Sequence, residues 1–224
     1  MGLETQKADI EKMIEGVEDD MLKEHLSKGM KYLDDPSRNL FVAFAIVRAR
    51  TGGYEELALK LAQLAQEKYP EDSHFLIELS HCLDRPEDIV NLNETFLKRV
   101  ALDSLAEDQM AKIEVTLALG YKEIEKVREG VKILEASKGE IAQRYELLAE
   151  LYFLDNQPQK AIDLLFERLK DRGKLSEGMV HWMGESFDVT GNYSKAVEML
   201  EKFKDDSSIM PLFEEVKGKV ITHK

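Results

Sequence analysis

Gly191-Asn192-Tyr193-Ser194-Lys195-Ala196 is the stretch on which the reading of this chain turns. A glycine here ends one apolar-periodic segment, about 175–190, because it can take a left-handed backbone at a helix C-terminus. The next segment, about 193–204, opens at once. Tyr193 is placed to cover the corner, and Ala196 is small enough to let two helices cross closely. Gly52-Gly53-Tyr54-Glu55-Glu56, followed by Ala58, Ala62, Ala65 and Pro70, repeats the pattern far upstream. Each marks a hairpin of two helices.

Working outward, apolar residues recur at three and four, and strand-like alternation is absent. Ile10, Met13, Ile14 and Val17 form one stripe; Leu22, Leu26, Met30 and Leu33 form the next, with Glu18-Asp19-Asp20 as a helix start between them. Asp34-Asp35-Pro36-Ser37 opens a helix to about Arg50. Further helices are expected over about 54–69, from Asp72-Ser73 to Leu83, from Pro86 to Leu102, and from Ser104 to a stop at Gly120. The next ends near Ser137-Lys138-Gly139, and others cover about 140–154, 158–172 and 208–221. The first helices of successive pairs begin near 37, 72, 106, 140 and 175, steps of 34 or 35 residues. A fixed period of that length means internal repetition. Helices this short do not hold themselves together in water, so the pairs must stack and bury one another's faces. No Gly-, Ser- or Pro-rich linker divides the chain, and residues 1–224 read as one domain: an atypical pair over 1–36, five repeats over 37–204 and a cap over 205–224.

At residue level the last two pairs resemble tetratricopeptide repeats. In one, Tyr145, Leu148, Ala149 and Tyr152 follow the family's bulky, Leu, small and aromatic sequence on the first helix, with Ala161 and Leu165 on the second. In the other, Val180, Met183, Gly184 and Phe187 take those places, with Ala196 and Leu200 following and the Gly191–Tyr193 turn between. The middle repeats depart from the pattern: Glu114 stands where a small residue belongs. The resemblance implies an all-α, right-handed α-α superhelix of about five to six antiparallel helix pairs plus a capping helix. In that cap Ile209, Leu212, Phe213, Val216 and Val220 face inward, and Glu214, Glu215, Lys217 and Lys219 face water.

The resemblance also implies a non-enzymatic scaffold that holds a peptide or protein segment in a groove lined by first helices. Groove positions carried over from the family are Gln143, Glu146, Glu150, Phe153 and Leu154, then Gly178, His181, Glu185, Asp188 and Val189. None is Lys, Arg or Asn, the types with which some family members clamp a terminal carboxylate. The expected partner is therefore basic or apolar rather than acidic. Two alternatives stand beside it: a metal-dependent or enzymatic site using His181, Glu185, Glu146 and Glu150 on adjacent helices, and a self-associating structural subunit, with monomer or weak homodimer the expected state. Trp182 is either a packing residue between repeats or a stacking anchor.

Composition sets the remaining bounds. The chain has 31 basic and 44 acidic residues, a net charge of -13, which disfavours nucleic acid and anionic lipid. The only basic cluster is Lys217, Lys219 and Lys224. One cysteine, Cys82, rules out an intramolecular disulfide; beside His81 on one helix it points elsewhere and reads as inert. No apolar leader precedes the first charge, Gln6 stands where myristoylation wants Ser or Thr, and the longest apolar run is Phe41–Val47. A cytoplasmic protein is expected, without cofactor or metal. Phosphate-loop, zinc-protease and serine-elbow signatures are missing. The Phe41–Val47 run reads as a helix buried from both sides, or alternatively as an apolar groove for an amphipathic partner helix.

Overall fold

The computed structural model describes residues 2–101 and 105–222, the last of these by its backbone. The expected helix end at Leu102, the helix start at Ser104 and the basic residue Lys224 lie outside the described residues. All thirteen α-helices found there fall where the periodicity puts them, and no strand occurs among the described residues. The chain forms two compact units, Met1–Gly120 and Tyr121–Lys224.

The first unit holds α1 (Leu3–Glu15), α2 (Asp20–Tyr32), α3 (Asn39–Thr51), α4 (Glu55–Lys68), α5 (Ser73–His81) and α6 (Pro86–Arg99), with α7 (Glu107–Glu123) containing the boundary. Side-chain caps fix several starts. Asp19 accepts from Leu22 N at 2.8 Å and Asp72 from His74 N at 2.9 Å, each satisfying an orphan N–H. Pro36 sits in a short 3-10 turn, Pro36–Arg38, before α3. The order of packing departs from simple repetition. α1 lies on α4, while α2 lies on α3, and α3 lies on α5. In this opening pair it is the second helix that joins the layer of first helices. A core of Ile10, Leu26, Ile46, Leu61 and Phe75 unites them.

Gly120 does not stop its helix. It lies inside α7, where an added Cβ would meet Val90 Cγ2 at 2.9 Å, so its role is close approach to α6. The chain turns instead at Glu125, which takes φ 60°.

The second unit holds α8 (Val127–Ala136), α9 (Ala142–Leu154), α10 (Pro158–Arg172), α11 (Glu177–Thr190), α12 (Tyr193–Leu200) and α13 (Met210–Thr222). α9 touches α11 and α11 touches α13, while α10 and α12 pack between successive members of that row. Ala149, Ala161 and Ala196 are fully buried where these helices meet. Gly191 has φ 64°, and its N–H donates to the Phe187 carbonyl at 2.9 Å, closing α11 as the opening hexapeptide requires. α12 is shorter than its sequence pattern; a 3-10 turn, Glu201–Phe203, finishes it. On α13, Leu212, Phe213 and Val216 are buried, as is Ile209 just before it; Glu214, Glu215 and Lys217 are exposed.

Candidate functional site

α9 and α11 are neighbouring first helices, and the row they form presents one strip of residues every three or four positions. Phe153 on α9 and Trp182 on α11 meet with ring centroids 5.5 Å apart. The His181 ring stands edge-on to Trp182 at 4.9 Å. Trp182 and Phe153 are half-buried and His181 is exposed, so the cluster both joins two repeats and offers a ring surface to solvent. Leu154 and Val189, at the ends of the two helices, are 49% and 59% exposed.

The carboxylates differ from one another. Glu146 accepts from the Ser176 hydroxyl at 2.7 Å, and Ser176 also caps α11 by accepting from Met179 N. The Glu146 carboxylate lies over Gly178 so closely that any side chain there would strike it. Glu150 accepts from Lys122 Nζ at 3.0 Å. Asp188 is held by Lys219 Nζ at 2.5 Å, and Lys219 reaches Glu215 at 2.7 Å as well. These carboxylates hold the Lys219 ammonium well above its ordinary range. Glu185 and Gln143 are exposed. Two of the four acids named from the sequence thus have lysine partners, and the strip is less negative than a count of its own residues suggests.

His181, Glu185, Glu146 and Glu150 do not converge. Among the described residues no three His, Cys, Asp or Glu side chains come together as a metal-ion set. Cys82 is half-buried, and burial pushes its thiol up to about 11, so it stays protonated at neutral pH.

The structural positions around the strip are tightly held. Tyr152 is 7% exposed and donates to Glu135 at 2.7 Å; burial raises its phenol far above the ordinary value. Phe187 is 1% exposed. A Cβ on Gly184 would reach Leu212 at 3.1 Å, so α13 rests directly on the small residue of α11. Tyr193 is half-buried at the corner, with Lys219 Nζ 5.8 Å from its ring centre.

A second surface lies on the Phe41–Val47 run, for which burial from both sides and an apolar groove are the two readings. Of the run Phe41–Val47, Val42, Ala43, Ala45 and Ile46 are buried, but Phe41 and Phe44 are 51% and 49% exposed, and Leu40 beside them 64%. The expectation of burial from both sides is corrected here: α2 and α5 flank α3 and leave its outer strip uncovered.

No family model matches the sequence, and no curated protein matches it detectably. Similar solved structures exist. A MamA protein structure aligns with TM-score 0.57 at 16% identity over 85% of this chain and 96% of that one. A second MamA structure gives 0.53 at 15% identity over 79% and 94%. TTC0263, a thermophilic TPR protein in Thermus thermophilus, gives 0.51 at 15% identity over 79% and 95%. The fold is therefore a tetratricopeptide-repeat-like array of helix pairs. Among the described residues no helix is long and apolar enough to cross a membrane.

Proposed function

We propose that this chain is a non-enzymatic protein-interaction scaffold whose α9–α11 strip docks a basic or apolar segment of a partner protein. One observation carries the reading: the ring cluster of Phe153, Trp182 and His181 opens to solvent, with exposed Glu185 one turn along α11 and the exposed apolar residues Leu154 and Val189 at the ends of the two helices. An aromatic face attracts a guanidinium or ammonium, more so once water is excluded. Glu185 adds a carboxylate one turn along the helix from His181. Leu154 and Val189 supply the apolar contact that aligns a segment along the helix ends. An acidic ligand finds no such support: Lys122 and Lys219 are already committed to Glu150 and Asp188.

Two fluorescein-labelled peptides of equal length and leucine content, one rich in Lys and Arg and one rich in Glu, test the proposal by anisotropy. The basic peptide is expected to bind at least about tenfold more tightly, and to weaken steeply with added salt as screening grows. Glu185→Gln should reduce that preference, and quenching of Trp182 emission should track binding. Equal affinity for the two peptides would sink the reading.

A further inference from the structure

The geometry points to a second docking surface, on α2 and α3, that takes an acidic amphipathic helix. α3 is the only α-helix among those described that contains no Asp or Glu, in a chain with 44 acidic residues. It also carries three exposed large apolar residues, more than any other helix described. Leu40, Phe41 and Phe44 stand on one strip of α3, and Met21, on α2 one turn from His25, is 62% exposed. Tyr32 and Phe41 lie 5.3 Å apart, and His25 meets Phe44 edge-on at 5.3 Å. The two ring pairs tie the Leu40, Phe41 and Phe44 strip of α3 to α2, so these side chains form one patch rather than scattered exposed residues, and such patches mark interaction sites.

Charge selects the occupant. The Arg38 guanidinium lies 4.8 Å from the Tyr32 ring centre and 5.8 Å from that of Phe41. Arg48, one turn beyond Phe44, has a buried Nε with no hydrogen-bond partner among the described residues. Beside the Leu40, Phe41 and Phe44 strip, Glu24 pairs with Lys28 and Asp35 with Arg38, while Asp20 stands exposed at the Met21 end of α2. An incoming helix with Leu or Ile at a three-four spacing would lie on Phe41, Phe44 and Leu40, and a carboxylate on its flank would reach Arg48. A second copy using the same face would set Arg48 and Arg38 against their own counterparts. Anionic lipid meets a chain of net charge -13.

The test uses the full chain and two labelled helical peptides with one identical Leu/Ile stripe, one carrying Glu on its polar face and the other Lys. The acidic peptide is expected to bind at least about tenfold more tightly. Phe44→Ser should weaken it by about tenfold, and Arg48→Glu should reverse the preference. Arg48→Gln, which removes the charge and keeps a polar, unbranched stem, should abolish the preference with circular dichroism unchanged. Glu185→Gln, on the other unit, should leave acidic-peptide binding untouched, so failure here is separable from failure of the α9–α11 reading. Equal binding of both peptides overturns the inference, as does acidic-peptide affinity that ignores both Phe44→Ser and Arg48→Glu. Sedimentation showing a dimer that Phe44→Ser dissolves would assign the face to a second copy, and Phe44-dependent flotation with phosphatidylserine vesicles would assign it to lipid. Either result also overturns it.

Discussion

Phe187→Ala is expected to destabilise the Tyr121–Lys224 unit by about 3–5 kcal/mol, the range for truncating a buried Phe. Phe187 is 1% exposed and continues the buried stripe of Met179 and Met183 along α11. That stripe lies on the helix that α9, α10, α12 and α13 all touch, so the cavity would open at the unit's most shared contact. Close-packed interiors relax only partly around such a loss. Urea unfolding should show a lower midpoint for this variant. Val189→Ala, two residues on but 59% exposed, should stay within about 0.5 kcal/mol of the parent. Equal effects of the two changes would mean that α11 does not bury the face described.

Gly29→Leu is the second large effect, at the upper end of about 1–3 kcal/mol for overpacking. A Cβ at Gly29 would stand 2.5 Å from Ala45 Cβ and 3.7 Å from the Phe41 carbonyl, so α2 and α3 approach backbone to backbone. Ala45 has no exposed surface through which to yield. A leucine must push the helices apart, and the ring pairs of the outer patch would separate with them. Gly218→Ala should have the opposite sign. It is helical and exposed, no atom other than its own neighbours lies within 4 Å of its added Cβ, and alanine gains up to about 1 kcal/mol of helix propensity there. Thermal melts of both variants check the pair of signs.

What could be read along the chain was what local chemistry dictates. The Gly191 turn, the Asp19 and Asp72 caps and the buried alanines follow from one residue and its neighbours a turn away. Gly120 misled because glycine marks both helix ends and close crossings; only the position of Val90, thirty residues earlier, separates the two. The order of α1 and α2 in the layers was not legible, since an apolar stripe says that a face is buried but not against which helix. The strip on α9 and α11 was read from likeness at spaced positions, and its residues do lie on adjacent helices. Its charge could not be read the same way. Lys122 reaches Glu150, and Lys219 reaches Asp188, from 28 and 31 residues away. α3 is apolar on nearly every side, which ordinarily means burial; its outer strip is open because neither flanking helix covers it.

The most direct measurement is a backbone and indole NMR titration of the full chain with the Lys/Arg-rich peptide. The reading of α9 and α11 as the docking strip predicts that the largest shifts fall on the Trp182 indole N–H and on amides of Phe153, Leu154, His181, Glu185 and Val189. Residues of α10 and α12 facing away should stay still. Shifts centred on any other helices, with the Trp182 indole unmoved at saturation, would contradict it.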